Sequence, residues 1–135
     1  MALMRHFIVI VSLFILLSGL GQAQVFTHGF NHRQVALTFD DGPSPVWTPK
    51  ILDELKSSGI KATFFMLGEH AEKYPDVARR VASEGHEIGN HTFTHQDMSK
   101  VSRQWAGLEM DATRLLIECI TGHSTILFRA PFNAD

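Results

Sequence analysis

"VALTFDDGPS", Val35 to Ser44, is the stretch on which the reading of the fold turns. Its first half, VALTF, is β-branched and apolar, the composition of a strand. The run ends on two adjacent carboxylates, Asp40 and Asp41, and a Gly-Pro pair then turns the chain. Like charges placed side by side at the end of a buried strand repel unless a cation compensates them. The rest of the chain has to account for them.

Downstream, strand-like and helix-like stretches alternate. "SPVWTPKILDELKSSG" has Pro49 suited to a first helical turn, Ile51, Leu52 and Leu55 at helical spacing, and Gly59 in the place of a C-terminal cap. "IKATFFML" is the next strand. "EHAEKYPDVARRVASEG" is helical, with Pro75 opening its second part, a Val77, Ala78 and Val81 stripe, and Gly85 closing it. "HEIGNH" is a short strand entering a loop. "SRQWAGLEMDATRLLIECITG" is the longest helix, with Trp105, Leu108, Leu115 and Cys119 expected to face the core and Gly122 as the stop. "STILFRAPF" is the last strand. Such alternation implies right-handed crossovers and a parallel sheet, an α/β fold.

The length of 135 residues fits one domain. The formal net charge is -2 and the 12 Lys and Arg are scattered, which argues against a nucleic-acid partner. Cys119 is the single cysteine, so no disulfide can form within the chain; it reads as a small buried residue of the long helix. "MALMRHFIVIVSLFILLSGLGQAQ" has a basic head at Arg5, an uncharged apolar run from Phe7 to Leu20, and then Gly21-Gln22-Ala23. This is the pattern of a secretory signal over residues 1–23, or of an uncleaved anchor, the only membrane contact the sequence suggests. Residues 24–33 read as a linker. Both readings put the working part outside the cytoplasm, secreted or in the cell envelope.

In parallel α/β folds ligands sit at the carboxyl ends of the strands. Asp40 and Asp41 end the first strand, His91 follows the third, and Arg129 ends the fourth. "NHTFTH" spaces His91 and His95 four apart, which on a helical turn puts both on one face. Two imidazoles and one carboxylate make a three-ligand site with an open position, the pattern of catalytic zinc. One aspartate would be the ligand; the other is free to act as a base on water that the ion makes acidic. A divalent cation also removes the repulsion between the two acids. A zinc peptidase is disfavoured, since no Glu lies between His91 and His95. Taken singly, these motifs are weak: Asp-Asp-Gly-Pro is an ordinary turn, and H-x-x-x-H is usually two surface histidines.

Together, "TFDDGP" (Thr38–Pro43), "HTFTH" (His91–His95) and "RAPF" (Arg129–Phe132) resemble the first three motifs of the polysaccharide deacetylases, the NodB-homology domain of carbohydrate esterase family 4. "GHEIGNHT" resembles the approach to the second motif, and the likeness runs from about Gln34 to the end. The resemblance implies a partial, irregular (β/α) barrel. It implies Asp41, His91 and His95 as ligands of a divalent ion, zinc or another first-row metal. It implies Asp40 as general base, Arg129 as the residue that orients Asp40, Thr92 as a brace of the loop, and Pro131 and Phe132 as lining of the substrate groove. The implied reaction is metal-dependent removal of acetyl groups from N-acetylglucosamine polymers such as chitin or peptidoglycan.

The family pattern continues with an Asp-Trp motif and a Leu-x-His whose histidine is the general acid. Neither follows Phe132, so residues 34–135 are read as the N-terminal part of the domain, its C-terminal part missing. His70 and His123 read as surface loop residues, and His86 opens a strand at the wrong end, so none replaces that acid. The chain alone is expected to give residual hydrolysis at most. The alternative is a non-catalytic remnant that binds metal or sugar without turnover.

Overall fold

The computed structural model describes residues 35–133. The expected signal and linker, residues 1–33, lie outside the described residues. Three strands form a parallel sheet in the order β1 (Thr38–Gly42), β2 (Thr63–Met66), β3 (Glu87–Asn90). Helix α1 (Trp47–Ser58) crosses from β1 to β2. Two short helices, α2 (Gly68–Lys73) and α3 (Pro75–Ser83), cross from β2 to β3, and α4 (Arg103–Thr121) follows. The α/β class and the parallel pairing agree with the sequence reading.

The helix boundaries have local causes. Gly59 ends α1 at φ 66° and its N–H bonds back to Leu55 and Lys56; Gly122 ends α4 at φ 75°. A left-handed residue costs glycine little, so both sites terminate a helix cheaply. Ser102 caps α4, its hydroxyl accepting the Trp105 N–H at 3.2 Å. Pro75 opens α3, where a missing N–H is harmless. The core lies between sheet and helices and is built from Leu52, Leu55, Phe64, Met66, Val81 and Ile88, with Ile117 from α4.

Three expectations are corrected. The first strand is shifted toward its acids: Val35 is 89% and Leu37 41% exposed, and β1 instead includes Asp40 and Asp41. Among the described residues it has one neighbour, β2, so there its acids end an edge strand and not a buried one. "STILFRAPF" forms no strand among the described residues; it reaches the sheet through one bridge, Asn90 to Phe128. The Asn90 N–H donates to Leu127 O and the Arg129 N–H to Asn90 O, which suffices to tie Arg129 to the end of β3.

The third correction concerns α4. Trp105, Leu108 and Leu115 are 51 to 55% exposed and Cys119 is exposed, while Glu109, Thr113 and Ile117 are buried. The helix carries apolar residues on two stripes, and periodicity alone cannot say which one faces inward. The buried stripe is partly polar because Glu109 has partners in the loop after β3.

Candidate metal centre

The register between β1 and β2 slips between Phe39 and Gly42, where three steps on β1 match two on β2. This bulge falls on the two acids. A bulge re-aims side chains, and here Asp41 adopts φ 63°. Neighbours along a regular strand would alternate faces; the bulge lets Asp40 and Asp41 both serve one edge of the sheet while meeting different partners.

Asp41 Oδ1 lies 3.3 Å from His91 Nε2 and 3.2 Å from His95 Nε2. One ligand atom from each of the three residues falls within 4.8 Å of the others, a spacing that a single ion can bridge. His91 is buried, His95 partly buried, and Asp41 exposed. The His91 Nδ1 is 2.8 Å from the Arg129 carbonyl oxygen. A carbonyl only accepts, so Nδ1 carries the proton and Nε2 presents its lone pair toward Asp41. The donor set therefore fits a divalent cation in charge, in tautomer and in openness to solvent.

The two histidines do not share a helical turn, as the spacing had suggested. Residues 91–95 form an irregular loop in which Thr92 (φ 72°) and His95 (φ 60°) are left-handed. Two such residues fold the loop back so that both Nε2 atoms reach Asp41, the rings edge to face with centroids 5.2 Å apart. Left-handed non-glycine residues are uncommon and persist where surroundings impose them. Thr92 is fully buried; its hydroxyl accepts the His95 N–H at 3.1 Å, and its own N–H donates to Asn90 Oδ1 at 2.9 Å.

Asp40 is held by Arg129. Arg129 Nη1 donates to its Oδ1 at 2.7 Å and to Thr38 Oγ1 at 3.0 Å. The guanidinium lies 4.0 Å over the Phe65 ring, which fixes its plane. Phe132 is 68% exposed and packs edge-on against His95, centroids 4.7 Å apart, whereas Pro131 is fully buried. The structure thus gathers Asp40, Asp41, Thr92, His91, His95, Arg129 and Phe132 at one edge of the sheet.

Three contributors were missed by sequence reasoning. Asn90 ties β3 to the loop and, through Nδ2, to the Met110 carbonyl at 2.8 Å. Glu109 accepts from the loop backbone. His70 lies on α2 rather than in a surface loop, with Nδ1 2.8 Å from the Asp41 carbonyl oxygen. Only spatial neighbourhood reveals these; no local motif marks them. His86 sits at the opposite end of the sheet, where burial and the Lys61 charge lower its pKa.

The sequence model of the polysaccharide deacetylase family matches residues 27–134. Over 110 residues, 82% of this chain and 40% of the relative, the sequence is 44% identical to a peptidoglycan-N-acetylglucosamine deacetylase of Bacillus cereus. Over 105 residues, 77% of this chain and 49% of the relative, it is 41% identical to a chitooligosaccharide deacetylase of Sinorhizobium fredii. Among solved structures, the peptidoglycan N-acetylglucosamine deacetylase Bc1960 superposes with a TM-score of 0.73 at 44% identity, covering 74% of this chain and 47% of that one. The peptidoglycan deacetylase PdaC of Bacillus subtilis gives 0.73 at 41%, covering 74% and 50%. The chain spans less than half the length of these curated relatives.

Proposed function

Because this chain belongs to the polysaccharide deacetylase family, we propose that it carries the metal and base residues for removing acetyl groups from N-acetylglucosamine-containing polysaccharide. The observation that supports this best is the convergence of Asp41, His91 and His95 within 4.8 Å. Beside them, Asp40 is held by Arg129 at 2.7 Å.

In this reading Asp41, His91 and His95 hold a divalent ion, with zinc favoured by two imidazoles and a carboxylate. Bound there, the ion would supply Lewis-acid activation of water and of the acetyl carbonyl. Asp40 takes the proton from the attacking water. Arg129 keeps that carboxylate oriented and its charge paired, while its own backbone carbonyl fixes the His91 tautomer. Thr92 holds the loop, and Phe132 offers an exposed ring for a sugar face, while the buried Pro131 shapes the chain before it.

The relatives' peptidoglycan and chitooligosaccharide substrates support a glucosamine polymer bearing N-acetyl groups. Peptidoglycan, the polymer named for one of these relatives, lies outside the cytoplasm. This agrees with residues 1–23 as an export signal or anchor, 24–33 as linker, and 34–135 as the N-terminal part of the deacetylase domain. No helix of the described residues is long and apolar enough to cross a membrane.

The test is acetate release from N-acetylglucosamine oligomers by the full chain supplied with zinc. The reading predicts that release is residual at most, and that whatever release occurs depends on the ion and is abolished by Asp40→Asn. Release that persists with a chelator, or that Asp40→Asn leaves undiminished, contradicts it.

A further inference from the structure

The loop bearing His91 and His95 has no regular structure and two left-handed residues, so its shape has to be imposed by its neighbours. Two helices do this. The first turn of α2 takes the loop's carbonyls: Gly68 N–H donates to Thr92 O at 3.0 Å and Glu69 N–H to Phe93 O at 3.1 Å. Helix α4 takes the loop's N–H groups through one side chain. Glu109 Oε2 accepts from Phe93 N at 2.8 Å and Thr94 N at 2.7 Å, and its Oε1 accepts from Thr94 Oγ1 at 2.8 Å.

Glu109 is only 4% exposed, and it shares a buried stripe with Thr113 and Ile117. No cation pairs with it among the described residues; the donors it meets are these two N–H groups and one hydroxyl. A carboxylate in such a place is costly to bury, and hydrogen bonds to its charged form offset that cost. Packing alone would be served better by a leucine. The three bonds all end on Phe93 and Thr94, two of the three residues between the two imidazoles.

We propose that Glu109 is a positioning residue of the metal centre, which sets the separation of His91 and His95 by clamping the backbone between them. It touches neither ring and acts only through the loop. This rests on reading Asp41, His91 and His95 as a metal site.

The experiment uses cobalt(II) as the probe ion and the full chain, measuring affinity by calorimetry and ligand geometry by visible absorption. Outer residues that orient metal ligands typically change affinity about 10–100-fold when altered. Glu109→Ala should weaken cobalt binding by about tenfold or more and alter the absorption band. Glu109→Gln keeps an oxygen for both N–H groups and should restore most of the affinity and the band. Glu109→Asp retains the charge but withdraws it from the loop, so it should shift the band even if the alanine variant fails to fold. Ile117→Val, on the same stripe, should lower stability and leave the band unchanged. Unaltered cobalt affinity and absorption in Glu109→Asp and in folded Glu109→Ala, against normal binding by the unsubstituted chain, would overturn the positioning role alone. No cobalt binding by the unsubstituted chain would remove the metal reading and this proposal together.

Discussion

Asp40 and Asp41 share a peptide bond but no partner: Asp40 Oδ1 accepts from Arg129 at 2.7 Å, while Asp41 Oδ1 faces two imidazoles at 3.2 and 3.3 Å. The bulge in β1 separates them. The two acids should therefore be separable by mutation. Asp40→Asn should leave zinc affinity within about threefold, and Asp41→Asn should lower it by about 10-fold or more, the scale on which a lost charged ligand contact acts. Calorimetric titration decides it; the reverse pattern would mean that base and ligand are exchanged.

Ile117 is fully buried and Leu115 is 51% exposed on the same helix. Ile117→Ala removes core volume and should cost about 2–5 kcal/mol. Leu115→Ala should stay within about 0.5 kcal/mol, as exposed substitutions usually do. Urea unfolding of both variants measures this, and a larger loss for Leu115→Ala would turn α4 around.

His86 supplies a pH dependence away from the metal centre. Its Nδ1 accepts the Ala62 N–H at 3.2 Å, so the neutral ring is the one that fits. Burial, then the Lys61 charge, lower its pKa from 6.5, with Glu84 opposing. A lowered pKa means that the unfolded chain binds the proton more readily. This contribution is therefore complete above about pH 6.5 and is lost as the pH falls below it. His86→Gln keeps an acceptor for Ala62 without titrating. Unfolding midpoints at pH 7.5 and 5.5 should differ less in the variant than in the unsubstituted chain; equal differences would acquit His86.

Gly89 lies where a Cβ would run into the Phe65 ring, the same ring that supports the Arg129 guanidinium. Gly89→Ala should cost about 1–3 kcal/mol, the usual range for overpacking. It should also loosen the Arg129–Asp40 contact. A thermal melt reads the first effect, and a melt unchanged from the parent would show that Phe65 moves aside freely.

Local features carried most of what the sequence revealed. Gly59, Pro75 and Gly122 punctuate helices by their own backbone preferences, so these boundaries were legible. The residues of the three short motifs were legible for a similar reason: each motif is contiguous, and strand order brings the motifs to one edge. Non-local features were hidden. The inward face of α4 depends on Glu109 finding the loop at Phe93 and Thr94, some fifteen residues away. The shape of the His91–His95 loop comes from left-handed residues that four-residue spacing does not announce. "STILFRAPF" has strand composition, yet a strand also needs a partner along its length, and among the described residues it has one bridge. His70 is partly exposed at the surface, as read, but on a short helix and not in a loop, and nothing local announces that the Asp41 carbonyl lies beside it.

The central claim is that Asp41, His91 and His95 together form one metal site, and metal analysis of the purified full chain tests it most directly. The account predicts one zinc ion per chain, and affinity lowered by orders of magnitude in His95→Ala, since each of three ligands is needed to hold a catalytic-type ion. No zinc in the unsubstituted chain, or undiminished stoichiometric binding in His95→Ala, would contradict it.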